Sequence, residues 1–539
     1  MLRAWLEPDR PCYRLSRFKL APDGLLPYAQ RVIPRLHVAR RPLDWTVWPG
    51  NSTGKRSDHL LFDNRPAYRK CIVVVDSDVL VPDFVVPQCS DEISANHILT
   101  SVLRSPFIIK HLYADEGPPD QTKTVHDEFL GNVIPGWIVT YGSQNGVTSV
   151  IHFTEGGPVL TGVTDGWIDQ MVEADRSLVY GDPTAQETRV RKARDLLATE
   201  VADAVDGDLF ITDRPYLHEA ASARGHAAKT LVVNSQDGLA FLSLYLRSQG
   251  DFTVWYRSDG HRGHSFDSGM FYWVAAREVL HAAWRWHSAC VEHDRISGTS
   301  ELGTLAESAL RRMDRCLRTR DEVHRTLSRR PGNNSADDNA AALDAFLLFL
   351  MSAVDATAKV AHRVLGLSKD ILFASWLRKE WVRSLSKANS ELQSLVAEGT
   401  DGHAALLILS RLRNSVHGEF LSPAVSRRDQ VNETVVRLPR SSRQDILGAV
   451  DQLGGRECWG IRNVMPGETH ADAGVLVERL LPRVAELLNA IMDATPVDAL
   501  SGVKLSARTT SPPSGGPFDA RIRKIIRGQL GLGVIEREK

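Results

Sequence analysis

The segment LLILSRLRNSVHGEF, residues 406–420, carries the most suggestive chemistry in the chain. Its first four residues are apolar and suited to anchor a helix in a core, whereas its second half is polar. Arg413 and His417 stand four apart and so share one face of a helix. Arg411 precedes His417 by six residues and lies about 120° away in azimuth. A histidine exchanges a proton near neutral pH. A neighbouring arginine can hold a phosphate and stabilise the charge that develops on it. Asn414 adds an orienting amide. This set suits metal-independent RNA cleavage, in which a ribose 2′-OH attacks its own phosphodiester. The plainer alternative is a pair of solvated arginines and a histidine closing a helix before Gly418, where cations are favourable in any case.

A second set is made of carboxylates. Asp76 ends the β-branched run Cys71–Val75, Asp195 opens a helical stretch, and Asp213 follows the apolar Leu209-Phe210-Ile211-Thr212. In a parallel sheet the C-terminal strand ends form one crevice. Asp76 and Asp213 are expected to meet there, with the helix of Asp195 pointing in. Converging carboxylates repel unless a hard cation joins them, so Mg or Mn is the natural cofactor, and such a metal can activate water against a phosphodiester. Arg214, directly after Asp213, brings a charge that would neutralise the site. The plainer alternative is capping and turn chemistry, common for Asp at strand ends and helix starts.

The elements that would position these residues fall into two modules. Residues 1–69 form an irregular N-terminal segment. Residues 70–250 alternate strands and helices, which implies a parallel α/β domain. Cys71–Asp76, Gly136–Tyr141, Thr148–Phe153, Leu209–Thr212 and Leu231–Val233 read as strands, and residues 93–112 and 165–206 as helical. Residues 251–332 are a helical connector rich in Arg, Trp and His. From 333 to 500 the pattern is all-α, with Leu343, Phe346, Leu347, Leu350 and Val354 on one buried face. Residues 501–539 are a partly disordered basic tail.

The helical half resembles the HEPN family over about 335–500, on the Arg411-to-His417 spacing. Arg413-Asn414 better matches the polar residue that often follows the family's arginine, so which arginine serves stays open. The resemblance implies an all-α domain, ribonuclease activity and a homodimer whose two copies build the site, with no cofactor needed. The first half resembles PIN-type nucleases, best over 194–247, through RDLLATEVADAVDGDLFITDRPYL and TLVVNSQDGLAFLSLYL, with Asp76 in VVVDSDVL as first acid. It implies a metal site of Asp76, Asp195, Asp213 and a second acid, Glu173 or alternatively Asp169. The long gap between Asp76 and Asp195 implies an insertion near 114–160.

Weaker signals are Gly50–Arg56, which departs from a phosphate loop in spacing and lacks Ser or Thr after its Lys, and His281, His287, Cys290 and His293, too helical in spacing to favour zinc over packing. The arginines of 311–330 could grip phosphates, although interleaved acids favour a solvated helix. Charged residues make up 24% of the 539 residues and the net charge is −1, which excludes a general coat of nucleic-acid-binding charge. Six widely spaced cysteines fit free thiols in a cytoplasm, and no membrane span or signal peptide is expected. The expected function is an RNA-directed endoribonuclease of toxin or antiphage-defence type. The rival is a non-catalytic scaffold that dimerises through its helical domain.

Overall fold

The computed structural model describes residues 70–81, 90–114, 136–142, 148–154, 157–163, 198–199, 202–203, 207–214, 230–255, 263–328, 332–368, 370–415, 421–428, 431–465, 467–506, 510–513 and 515–531. The segment 1–69, the glycine-rich 50–56, and Asp169, Glu173, Asp195 and His417 lie outside the described residues.

The first half is built on a seven-stranded sheet in the order β5-β4-β3-β2-β1-β6-β7. Its strands are β1 (Cys71–Asp76), β2 (Ile108–Ala114), β3 (Gly136–Gly142), β4 (Thr148–Thr154), β5 (Gly157–Val163), β6 (Leu209–Ile211) and β7 (Leu231–Val233). Strands β3, β2, β1, β6 and β7 run parallel, while β4 and β5 extend one edge antiparallel. The continuous Val73-Val74-Val75 run is fully buried, as a strand covered on both faces must be. The order reverses between β1 and β6, and that reversal creates a switch-point crevice at their C-terminal ends.

Helix α1 (Ala95–Val102) stops well before residue 112. The second part of the apolar stretch 93–112, expected to be helical, is instead the inner strand β2, paired Asp76↔Tyr113 and Cys71↔Ile108 with β1. A run buried at nearly every position shows neither the period of a helix nor that of a strand, which is why the pattern misleads there. Helix α2 (Ser235–Ser248) follows β7. It approaches β6 closely at Gly238, where a Cβ would stand 2.8 Å from Ile211 Cδ1 and 2.9 Å from its Cγ1. We expect Gly238→Ala to cost about 1–3 kcal/mol by overpacking, read as a lower urea midpoint at unchanged slope; an unaltered midpoint would contradict this packing.

The helical half begins with α3 (Ser268–Val279), α4 (Ala283–Ser297), α5 (Glu301–Leu327) and α6 (Asn333–Val364), the last two forming a long antiparallel hairpin. Helix α6 is long and apolar enough to cross a membrane, yet 61% of its most apolar window is buried inside the protein, with Leu343, Phe346, Leu347, Leu350 and Val354 in the core. Then come α7 (Lys379–Ala388), α8 (Ser390–Leu395), α9 (Asp401–Ser415), α10 (Arg443–Gln452) and α11 (Ala473–Ala494). The region is mostly helical but not all-α. A four-stranded antiparallel sheet, β8-β9-β11-β10, joins Pro423–Arg428, Val431–Arg437, Glu468–Ala471 and Ile461–Met465. Residues 520–529, read from sequence as tail, form helix α12, whose Ile522, Ile525 and Ile526 are buried beside α1, α2 and α3.

One hydrophobic cluster runs from β1 through α11 to α12. At its centre lies a charge network drawn from five helices. Arg247 of α2 donates to Asp321 of α5 at 2.6 and 3.0 Å and to the Gln529 carbonyl of α12 at 2.6 Å, and the Tyr272 hydroxyl of α3 donates to Asp321 at 2.6 Å. Arg320 of α5 reaches both oxygens of Glu478 of α11 at 2.6 and 3.0 Å, with His324 Nε2 2.7 Å from the same carboxylate. Buried charges persist only when paired in this way.

Candidate functional site

Two regions hold the residues singled out by chemistry. In the switch-point crevice, Asp76 leaves β1 with its side chain fully buried. Its Oδ1 accepts the Asp78 backbone N–H at 3.1 Å, and its Oδ2 accepts the Thr212 hydroxyl at 2.8 Å. Arg214 closes over it, with Nε 2.7 Å from Oδ2 and Nη2 3.2 Å from Oδ1, while Nη2 also reaches Asp78 at 2.7 Å. The same guanidinium lies 5.4 Å from the Tyr113 ring centroid on β2. Burial raises the Asp76 carboxyl above its usual range, although Arg214, the Asp78 N–H and Thr212 all pull it down.

Asp213, beside Thr212, is exposed and accepts the Ser235 backbone N–H at 2.8 Å, where it stabilises the start of α2. Asp76 and Asp213 thus flank one crevice as the topology dictates, but both Asp76 oxygens and Asp213 Oδ1 already have partners. Glu173 and Asp195 are outside the described residues. Among the described residues, no group of three or more His, Cys, Asp or Glu side chains is arranged to hold a metal ion. A divalent cation would have to displace Arg214 from Asp76, so the described residues do not fit Mg or Mn. The arginine directly after Asp213 was the sequence signal for this; the parts played by Thr212 and Tyr113 had none.

The other region is the C-terminal end of α9. Leu406, Ile408, Leu409 and Leu412 are buried and bind this helix to α6 and α11. That fixes which residues face out: Arg411 and Arg413 are half-buried and Asn414 is exposed. The two arginines differ in partners. Arg411 Nε stands 2.9 Å from Asp445 Oδ2 of α10. Arg413 has no carboxylate within ion-pair distance among the described residues, and its Nη1 is 3.4 Å from its neighbour Asn414 Oδ1. Its charge is instead felt by the half-buried Asp355 of α6, whose carboxyl is pushed up by burial and drawn down by Arg413, Lys359 and Arg312. The described helix ends at Ser415, so Arg413 and Asn414 occupy its last turn. Asp355 and Lys359 carry no motif in the sequence and emerge only from the packing of α6 on α9.

The His287, Cys290, His293 set on α4 is spread over different contacts. Cys290 is buried, and burial, with Asp294 adding to it, pushes its thiol up to about 12. His287 Nε2 faces Glu307 at 3.3 Å and His293 Nδ1 faces the Ser501 carbonyl at 3.4 Å. A protonated, buried thiol packs as a small apolar group and makes a poor metal ligand.

No family model matches the chain, and no solved structure matches it. Among curated proteins, a CTP synthase from Frankia casuarinae is 28% identical over 157 residues, which are 29% of this chain and 23% of that protein. The chain therefore spans under a quarter of the length of that relative, and it is similar to it over that stretch alone.

Proposed function

We propose that this protein is an RNA-directed endoribonuclease that cuts without a metal ion, with Arg413 on the scissile phosphate, Asn414 orienting it, and His417 as general acid/base. The observation that carries this reading is the contrast between two arginines: Arg411 is paired with Asp445, whereas Arg413, in the last described turn of α9, has no carboxylate within ion-pair distance among the described residues. A guanidinium without a close counter-ion is available to a phosphate. The chemistry needs three groups: a base to take the 2′-OH proton, a cation for the charge on the phosphoryl oxygens, and an acid to protonate the leaving 5′-oxygen. A single imidazole can perform the first and last in turn, or two can do so where a homodimer brings two copies together.

The carboxylate crevice supports the same choice, because Arg214 already neutralises Asp76. In this reading the PIN-like α/β half is a structural platform and the HEPN-like half carries the reaction. A cytoplasmic setting with RNA as the target, in growth arrest or antiphage defence, belongs to the same proposal and is implied by the two resemblances.

The test is cleavage of a labelled RNA by the purified full chain, with and without EDTA. We expect equal rates in both and an unchanged rate for Asp76→Asn provided that it folds. Loss of cleavage in EDTA would move the reaction to the carboxylates. Absence of RNA cleavage under every condition, with wild type and His417→Ala alike in a host, would favour the scaffold.

A further inference from the structure

The arginines of α5 sort themselves by partner. Arg311 bonds Glu307 at 2.8 Å, Arg318 bonds Asp314 at 2.7 Å, Arg320 is buried on Glu478, and Arg325 pairs with Glu322. Arg312 and Arg315 differ: neither has a carboxylate within ion-pair distance among the described residues. Arg312 donates to Ser308, and the Arg315 guanidinium lies 5.7 Å from the Phe349 ring centroid of α6.

Two contacts set the register of the hairpin. Glu301 pairs with Arg363, and Arg315 meets Phe349, so equal lengths of α5 and α6 separate the two contacts. Arg312 therefore lies across from Ser352, one turn from Asp355. Along α6, Ser352, Asp355 and Lys359 are half-buried and lie within about 60° of one another in azimuth, with the half-buried Phe349 at the edge of that stripe. Lys359 has no carboxylate within ion-pair distance among the described residues. Helix α9 packs on α6 and brings Arg413 to the same Asp355. The charges of three cations from three helices thus act on a single carboxylate, with Arg315 and the Phe349 ring together on the same hairpin. One carboxylate against three cations leaves the groove along these packed helices net positive.

We infer that this groove binds the backbone of single-stranded RNA, with Arg312 and Lys359 on separate phosphates leading to Arg413, and with Phe349 and Arg315 stacking on a base. Seven residues at a rise of 1.5 Å separate Lys359 from the level of Ser352, opposite Arg312, about 10 Å along the hairpin, so the two cations suit a strand lying along it. A π-face beside a guanidinium is the standard platform for an unpaired base. This inference rests on the proposed ribonuclease reading and names the path by which its substrate enters.

The test uses the full chain carrying His417→Ala, so that RNA is not consumed, and a fluorescein-labelled single-stranded 20-mer followed by anisotropy across salt concentrations. Arg312→Ala with Lys359→Ala is expected to weaken binding at least tenfold. The double change should also lower the slope of log K against log salt by about 1.4, at roughly 0.7 for each phosphate no longer neutralised. Phe349→Ala is expected to weaken it roughly tenfold with no change in slope. Lys379→Ala, on an exposed residue paired with Glu398, is the control and should bind as the parent does. If the double variant melts early, Lys359→Gln alone, on the half-buried stripe, carries the test with half the slope change. Unchanged affinity and slope, an equal loss in Lys379→Ala, or equal binding of a blunt RNA duplex would each overturn the groove. Cleavage that persists in the His417→Ala parent would instead overturn the catalytic assignment and leave the groove standing.

Discussion

His417→Ala is expected to lose RNA cleavage by roughly 10²- to 10⁴-fold, the usual worth of a positioned general acid/base. Arg413→Ala is expected to lose about 10²- to 10³-fold by removing the charge that meets the developing phosphorane. Arg411→Ala should change the rate little, because that side chain is already engaged with Asp445 on the surface. Rates measured at saturating RNA separate these cases: the Arg413 effect belongs in kcat more than in KM if its hydrogen bond to the phosphate tightens in the transition state. Equal losses for Arg411→Ala and Arg413→Ala would contradict the distinction drawn between them. Lys in place of Arg413 should recover only part of the rate, since a point charge replaces a bidentate fork.

The second large effect concerns stability. Arg320 and Glu478 are buried, bidentate and shared with His324. Glu478→Ala takes from Arg320 its bidentate carboxylate, leaving Asp321 at 3.7 Å, and should cost about 3–5 kcal/mol, read from the urea midpoint. Replacing both, Arg320→Met with Glu478→Leu, should restore much of that stability, because the cost lies in the abandoned charge rather than in the missing attraction. A double variant as unstable as the single would contradict this account.

The same pair predicts a pH dependence. Burial pushes the Glu478 carboxyl up, but Arg320 and then His324 outweigh it and bring it down from its ordinary 4.5 to about 2. A depressed carboxyl contributes stability that is fully present above about 4.5 and drains away as pH falls toward 2. At about 1.4 kcal/mol per pH unit the contribution is about 3 kcal/mol. Glu478→Gln should therefore flatten the acid limb of the stability curve over that interval, and an unchanged acid limb would contradict it.

The parts of this fold that could be read from sequence are those where one local force dominates. Cys71–Asp76, Leu209–Ile211 and Leu231–Val233 are short apolar runs bounded by polar residues, and each is a strand of the parallel sheet. Leu343 to Val354 shows a clean helical stripe and is the core of α6. Where burial is uniform, period is lost: Ile108–Ala114 could not be told from helix, and only pairing with β1 decides it. The sheet at 423–471 escaped notice for the opposite reason. Its strands are short, charged and interrupted, and are held by register with one another rather than by an apolar pattern. The candidate site divides in the same way. Arg214 as a neutralising neighbour of Asp213 was visible as a dipeptide, and Arg413 as a spacing. That Arg411 is engaged with Asp445, and that Arg312, Lys359 and Arg413 face one carboxylate, depends on helix packing across long stretches of chain.

End-group analysis of the RNA products, made in EDTA, addresses the reaction itself. Attack by the 2′-OH expels the 5′-oxygen, so the products must carry 2′,3′-cyclic phosphate and 5′-hydroxyl ends, and an RNA with a single 2′-deoxy residue at the cut site must resist. Products bearing 3′-hydroxyl and 5′-phosphate ends, formed only when a divalent metal is supplied, would contradict the assignment to Arg413 and His417.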